Sequence, residues 1–401
     1  MKKNLVIFFG GRSCEHEISI ITAQQAIANI DRGKYEIFPV YIAPDGVWRH
    51  GRGYDRLQSF ASGAVPKGAE VLLTPGSPVL YRRAKPGRIK PVICIHAALL
   101  CMHGLNGEDG ALQGLLELSG VPYTSCNVQA SGACMDKIVS KFLFKGLGLP
   151  VTEFAWFTAG EFERGPEACL DRAEKAAGYP CIVKPANLGS SIGISVCPDR
   201  SALRAAVATA AAFDRRVLVE RGLTDFFELN CSALGIENDV KISECERPAA
   251  WHEFLTFEDK YMSGGKGDRS GGQNGKENAA GGGKIGMHGL KRELPARIEP
   301  AVRDAVREAT ERVFRTLNAK GVVRVDFLVD KKTGTVYINE VNTIPGSLSF
   351  YFWEREGVEF PQLIDRLVYF AGCEHGLKAG LQYAYKTDVV SQAARATKTG
   401  K

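Results

Sequence analysis

The stretch that decides the fold is "VVRVDFLVDKKTGTVYINEVNTIPGS", Val322 to Ser347. It reads as two β-strands joined by the polar turn KKTGT. Side chains alternate between faces along a strand. Val322, Arg324, Asp326 and Leu328 therefore share one face of the first strand, and Val336, Ile338, Glu340 and Asn342 one face of the second. Pairing Asp330 with Val336 across the turn sets Asp326 opposite Glu340 and Arg324 opposite Asn342. Like charges directly opposite on a sheet destabilise it, and dehydrating an ion is costly. Solvent exposure would relieve the conflict, yet the strands are otherwise rich in Val, Ile, Leu and Phe. A divalent cation resolves it. Asp, Glu and an Asn amide oxygen are hard donors suited to Mg²⁺ that completes its shell with phosphates and water.

Upstream, "CIVKPANLGSSIGISVC" (residues 181–197) places Lys184 at the end of an apolar strand, before a Gly/Ser loop and a second strand. A lysine emerging from a buried strand needs an anionic partner, and the loop's backbone N–H groups suit phosphate. A plain hairpin turn is the bland alternative. No GK[ST] opens a helix here, and no GxGxxG follows a strand to open a helix (GGGKIG at 281–286 lies inside the glycine-rich stretch), so neither a P-loop nor a dinucleotide fingerprint is present.

The first third alternates strand and helix: "LVIFFGG", a helix from about Glu15 to Asn29, "YEIFPVYIA", the apolar run "VICIHAALLCMHG" and the amphipathic "ALQGLLELSG". This rhythm predicts a parallel sheet covered by helices. Its turns, "FGGRSCEHEIS" and "MHGLNGEDG", lie at the carboxyl ends of strands, where open α/β sheets bind ligands. Glu15 would either cap the following helix or bind a substrate ammonium. His103 reads equally as a satisfied structural histidine or a substrate contact. The stretch "ACMDKIVSKFLFKGLG" reads as helix to a Gly-Leu-Pro stop. A small α+β block follows, then a third block from about Arg221 that ends in the opening hairpin. Within that block, 263–289 is glycine-rich with few apolar residues. It reads as a disordered insertion or as a lid that orders over substrate. The tail after Tyr385 is polar and expected to fray.

A chain of 401 residues predicts two or three domains. The net charge of +6 suits anionic small molecules, and no Lys/Arg run is dense enough for nucleic acid. "MKKNLVIFF" is too short to be a signal peptide before Gly10-Gly11, and no stretch is long enough to span a membrane. The 11 cysteines include no CxxC pair and read as free thiols in a reducing cytoplasm.

Taken in order, "FFGGRSCEHEIS", "HGLNGEDGALQGLLELSGVPYTS", "MDKIVSK", "IVKPANLGSSIG", "VLVERGL", "EDKY", "RVDF" and "NEVNTIPGS" span nearly the whole chain. In this it resembles the ATP-grasp ligases, specifically the D-alanine–D-alanine ligase family. The resemblance implies an α/β (α+β) ATP-grasp fold. An N-terminal parallel α/β domain (1–125) would be followed by two α+β subdomains enclosing ATP (126–220 and 221–375, with a lid at 256–290) and a polar tail (376–401).

It further implies that Asp326, Glu340 and Asn342 hold two Mg²⁺ ions, with Mn²⁺ as a substitute, on the ATP phosphates. Lys137 and Lys184 would reach those phosphates, with Ser190, Ser191 and Lys260. Glu220, Arg221 and Leu223 would frame the adenine beside Phe254. Glu15 would hold the first D-alanine and, with Ser190 and Tyr261, latch the lid. Arg324 and the Gly346 N–H would stabilise the oxyanion. The implied chemistry is phosphorylation of one D-alanine carboxylate, then attack by the amine of a second, for peptidoglycan precursor synthesis. A cytoplasmic homodimer acting on D-alanine and ATP, without nucleic acid or membrane, is also implied.

The chain departs from the family pattern in places. The ribose-contacting Glu228 stands one residue later than usual, the lid is longer and richer in glycine, and "SLSFYFWE" follows Gly346. Ser349 is the candidate for the second substrate's carboxylate, with Tyr351 the other option and His103 and Lys260 nearby substrate contacts. The rival readings are a D-alanine–D-serine or D-alanine–D-lactate ligase, a silent nucleotide-binding regulator, and a dinucleotide-dependent oxidoreductase. The missing glycine fingerprint speaks against the last.

Overall fold

In the computed structural model, which describes residues 1–85, 87–248, 292–385 and 387–399, three larger sheets and a two-stranded ribbon carry the chain. The first sheet comprises β1 (Lys3–Gly10), β2 (Tyr35–Ile42), β3 (Trp48–His50), β4 (Ala69–Thr74), β5 (Ser77–Lys85), β6 (Arg88–Cys94) and β7 (Ala97–Leu100), in the order β6-β5-β4-β3-β2-β1-β7. Helix α1 (His16–Asn29) makes the crossover that lets β1 and β2 run parallel, and β7 pairs parallel with β1 on the other side. From β2 outward every pairing is antiparallel. The expected all-parallel sheet is therefore mixed. The cause is connection length: parallel neighbours need a crossover of a dozen residues or more, whereas only Pro75 and Gly76 separate β4 from β5, with Gly76 at φ +76°. The run "VICIHAALLCMHG" likewise splits, because Ile95 and His96 turn the chain between β6 and β7.

After α2 (Ala111–Leu118), the expected single helix is two, α3 (Val128–Met135) and α4 (Lys137–Gly146). Asp136 breaks it. Its carboxylate accepts from the N–H groups of Ile138 (2.9 Å) and Val139 (3.0 Å), capping α4 instead of continuing α3. The second sheet, ordered β10-β9-β11-β8, contains β8 (Phe154–Thr158), β9 (Cys181–Pro185), β10 (Ser195–Cys197) and β11 (Arg216–Arg221). It shares a core with α6 (Pro166–Ala177) and α7 (Arg200–Ala211), and α5 (Ala159–Arg164) precedes these.

The third sheet, ordered β13-β12-β16-β17, contains β12 (Phe226–Ile236), β13 (Asp239–Ile242), β16 (Lys320–Asp330) and β17 (Val336–Asn342). The ribbon pairs β14 (Arg247–Pro248) with β15 (Arg292–Glu293), and α8 (Pro300–Thr316) covers the third sheet. Helices α9 (Phe350–Arg355), α10 (Phe360–Ala379) and α11 (Val389–Thr399) follow. The expected tail at 376–401 is thus partly helical.

Core membership does not follow the expected divisions at 125 and 220. Cys126, Ala130 and Phe144 pack with Val325, Phe327 and Val341 under the third sheet. Leu363 and Leu367 of α10 join Leu5, Ile7 and Phe9 in the first core. An apolar face packs where it finds a partner, not where the chain changes composition.

The opening hairpin pairs Arg324 with Asn342 and Asp326 with Glu340. The register then shifts by one between Asp326 and Phe327, so Val329, not Asp330, meets Val336. Asn339 is the extra residue. The bulge lets Ile338 and Val341 both enter the core, so Ile338 leaves the face it was expected to share with Glu340.

Candidate functional site

Between the second and third sheets lies a cleft of about 260 Å³ whose polar lining includes Lys137, Lys184, Ser191, Glu228, Asp326 and Glu340. Its apolar walls come from Ile182, Ile194 and Val196 on one side and Phe327 and Leu328 on the other. The layout follows from strand geometry. Lys184 leaves the end of β9, Glu228 lies in β12, and the acids project from the face of β16 and β17 turned away from the core.

The lysines are tightly held. Lys184 Nζ forms an ion pair with Glu220 and donates to Asn339 Oδ1 at 3.2 Å. The opposite oxygen of Glu220 meets Lys141 Nζ at 2.7 Å and accepts from Thr152 Oγ1 at 3.0 Å. Burial alone would discharge all three groups. It lowers the pKa of Lys141, whereas for Lys184 and Glu220 the opposite charges win, raising the lysine and depressing the carboxyl. Lys137 donates to the Leu188 carbonyl at 2.6 Å and stands 3.5 Å from Glu340 Oε2.

Across the cleft, Arg324 binds Asp326 in a fork, Nε to Oδ1 at 2.6 Å and Nη2 to Oδ2 at 2.7 Å. Asn342 Nδ2 donates to the same Oδ2 at 3.0 Å. Here the two acids facing each other on the hairpin are each answered by a cation of the chain itself. Among the described residues no three His, Cys, Asp or Glu side chains gather as a metal cage. The available hard donors are two carboxylates and one amide, and turning the Asn342 amide over would present its oxygen. That set fits a Mg²⁺ ion taking its remaining oxygens from phosphate and water.

Glu15 is buried at the N-terminus of α1, yet its side chain does not cap the helix. Ser190 Oγ donates to Glu15 Oε1, tying the first sheet's ligand edge to the loop after β9. Glycines make room for this carboxylate. A Cβ on Gly189 would come within 2.9 Å of Oε1, and one on Gly104, at φ +71°, within 2.7 Å of Oε2. His103 is buried, its Nε2 hydrogen-bonds Thr22 Oγ1 at 2.8 Å, and burial lowers its pKa to about 4. Thr22 Oγ1 also accepts from the Ser347 N–H at 3.2 Å. The turn after Gly346 is left-handed at Ser347, Leu348 and Ser349, a conformation unfavourable for each of these residues.

Three of the residues expected at the adenine are not among those lining the cleft. Glu220 has both oxygens occupied by lysines, Arg221 points outward within 3.5 Å of Glu153, and Leu223 is buried away from the cleft lining. Phe254, Lys260, Tyr261 and the lid at 256–290 lie outside the described residues. Sequence reasoning missed four side chains. Lys141 stands one helical turn after Lys137, a spacing that signals a shared face. Asn339 reaches Lys184 only because of the bulge, which no pattern marks. Glu108, in the quoted "NGEDG", accepts from the N–H groups of Gly104 (3.1 Å) and Ile344 (2.9 Å), joining two loops of the site. Burial, reinforced by the charges of Glu15 and Glu340, pushes its carboxyl up to about 8. Glu246 is buried between Asn230 and Arg292.

Comparison with known proteins agrees with this geometry. Residues 4–126 match the family described as D-ala D-ala ligase N-terminus, and residues 143–271 and 285–369 the family described as D-ala D-ala ligase C-terminus. The chain is 38% identical over 366 residues to the D-alanine--D-alanine ligase of Thermosipho melanesiensis, covering 91% of this chain and 92% of that one. Among solved structures, the VanG D-Ala:D-Ser ligase of Enterococcus faecalis superposes with a TM-score of 0.73 at 27% identity, covering 92% of this chain and 100% of that one. The D-alanine-D-alanine ligase of Coxiella burnetii also reaches 0.73, at 24% identity over 94% of this chain and 96% of its own, and supports the fold.

Proposed function

The chain belongs to the D-ala D-ala ligase family, and on that premise we propose that it joins two D-alanine molecules into D-alanyl-D-alanine while converting ATP to ADP and phosphate. The product serves peptidoglycan precursor synthesis. The observation that carries the reading is the cleft itself, where Lys137 and Lys184 stand on one side and Asp326 and Glu340 on the other. Lysines suit the triphosphate as point charges.

Asp326, Glu340 and Asn342 would hold Mg²⁺, which when bound neutralises charge on the transferring phosphoryl group. Glu15 receives the ammonium of the first D-alanine, and Ser190 fixes that carboxylate in place. Arg324 spends Nε and Nη2 on Asp326, which leaves Nη1 for the oxyanion of the reacting carboxyl, with the Gly346 N–H as second donor. The apolar walls exclude water from an acyl phosphate that water would destroy. The purine lies against those walls, and Glu228 is the cleft carboxylate for the ribose. Among the described residues no helix is long and apolar enough to cross a membrane. A cytoplasmic homodimer built on the first sheet completes the reading, and light scattering on the purified chain tests the dimer.

ADP release coupled to an optical assay, with D-alanine and Mg²⁺ each omitted in turn, tests the function. Release that requires both is expected, and release indifferent to D-alanine defeats the proposal. The likeness to a D-Ala:D-Ser ligase makes D-serine the second acceptor to try. Mass analysis of products from mixed D-alanine, D-serine and D-lactate decides between them.

A further inference from the structure

A second cavity, of about 210 Å³, shares no lining residue with the cleft. One wall comes from the last turn of α2 and the segment after it (116–123), which joins the first sheet through the parallel bridge of Tyr123 to Ala98. The other walls are α10, with Ala371 and Glu374, and the first residue of β16, Lys320. Six residues of extended strand, about 20 Å, separate Lys320 from Asp326. The cavity therefore stands apart from the proposed chemistry.

Lys320 is 2% exposed. It pairs with Ile236 across the sheet, and its carbonyl accepts from the Cys126 thiol at 3.7 Å, so its backbone is pinned. Its Nζ lies over the Tyr123 ring, 4.0 Å from the centre. Two carboxylates share the cavity, but both are engaged by another lysine. Lys378 pairs with Glu117 and, at 3.1 Å, with Glu374, and Glu117 Oε1 also accepts from the Tyr123 hydroxyl at 2.7 Å. Among the described residues no acceptor stands within hydrogen-bonding or ion-pairing reach of Lys320 Nζ. Burial consequently lowers its pKa to about 8. Stacking on a ring returns only part of what burying an ammonium costs. A buried cation that faces a cavity without an anion calls for one.

The surroundings select the anion. Glu117 and Glu374 flank the lysine and would repel a dianion such as phosphate, whereas a single negative charge matches the one uncompensated cation. The remaining wall offers hydrocarbon from Leu116, Val121 and Ala371. An apolar cavity of roughly 150 Å³ accommodates benzene, so this one takes a chain of a few carbons.

We propose that this cavity binds a small monocarboxylate, with the carboxylate on Lys320 Nζ and the hydrocarbon body against Leu116 and Val121. Its occupant fastens α2, which follows the Glu108 loop, to β16, which carries Asp326. The assignment goes beyond the ligase reading and does not depend on it.

The test is a ligand-observed NMR titration of the full chain with butyrate as probe and butyramide, its uncharged counterpart, as control. Butyrate is expected to bind with a dissociation constant of about a millimolar or below. Butyramide and inorganic phosphate should bind ~10-fold more weakly or not at all. D-alanine and the β,γ-imido analogue of ATP, both at saturation, should not displace butyrate. Lys320→Met, which keeps the stem but not the charge, should weaken butyrate ~10-fold or more and leave the affinity for the ATP analogue unchanged. Ala379→Phe, on the exposed rim of the cavity, should close the mouth and give a similar loss, and it carries the test if Lys320→Met does not fold. Equal affinity for butyrate and butyramide, tighter binding of phosphate, unchanged binding in a folded variant, displacement by the cleft ligands, or no butyrate binding at all overturns the assignment.

Discussion

Two charged faces meet at the cleft, and they are built on opposite terms. At the second sheet, Lys184 and Glu220, with Lys141 of α4, are almost wholly buried and satisfy one another. On the third, Arg324 and Asp326 keep 12% and 14% of their side-chain surface and Glu340 keeps 25%. Buried ions must be paired, and a buried pair contributes little net stability yet is expensive to break. Ions that keep some exposure can exchange partners for a ligand's charges. The first face is an anchor that points Lys184. The second is where partners can change.

Removing the anchor should be the larger event for stability. Glu220→Gln strands Lys141 and Lys184 in a dry environment and is expected to cost ~3–5 kcal/mol, read by urea unfolding. A loss below about 1 kcal/mol would show that the second face is as adaptable as the third. Glu340→Gln should behave in reverse. Ligation is expected to fall ~10²–10³-fold, the scale seen when one electrostatic contact to a transition state is lost. Unfolding free energy should stay within about 1 kcal/mol, because the pair with Lys137 is partly exposed. Full activity in this variant would refute the metal assignment.

Lys184→Ala joins the two faces, since this lysine is anchored by one and aimed at the other. The KM for ATP should rise about tenfold or more, equivalent to ~1.4 kcal/mol, with a smaller change for D-alanine. An unchanged ATP value would remove Lys184 from the phosphate site. The last prediction concerns His103, outside both faces. Its pKa is about 4 in the fold against the ordinary 6.5, so as pH falls through 6.5 the unfolded chain takes up a proton that the folded chain refuses. Stability should decline between pH 6.5 and about 4 on this account. His103→Asn should flatten that part of a thermal-midpoint profile, and an unaltered slope would contradict the buried neutral histidine.

Legibility varied along the chain for physical reasons. The opposition of Asp326 and Glu340 was readable because side-chain alternation and a short turn leave few registers. The bulge at Asn339 was not, because it answers the need of Ile338 and Val341 to reach one core. The mixed first sheet was misread where short links, such as Pro75-Gly76, replaced helical crossovers. The break at Asp136 hides in a helical pattern, since a capping aspartate and a helical one look alike until the backbone turns. The pairing of Glu220 was not legible, because nothing in "VLVERGL" shows that Lys141, in a separate helix, would reach its carboxylate.

From the amino-acid order alone came the chemistry on hand: the acids, lysines and glycines, their strands, and the family they mark. Local rules suffice for these, because strand period, turn composition and burial cost act over a few residues. Which charge answers which was settled only by folding. The links of Glu15 to Ser190, of Lys184 to Glu220 and Asn339, and of Arg292 to Tyr351 join segments distant in sequence. Electrostatic pairing depends on distance through space and on exclusion of water, and both exist only once the sheets have packed.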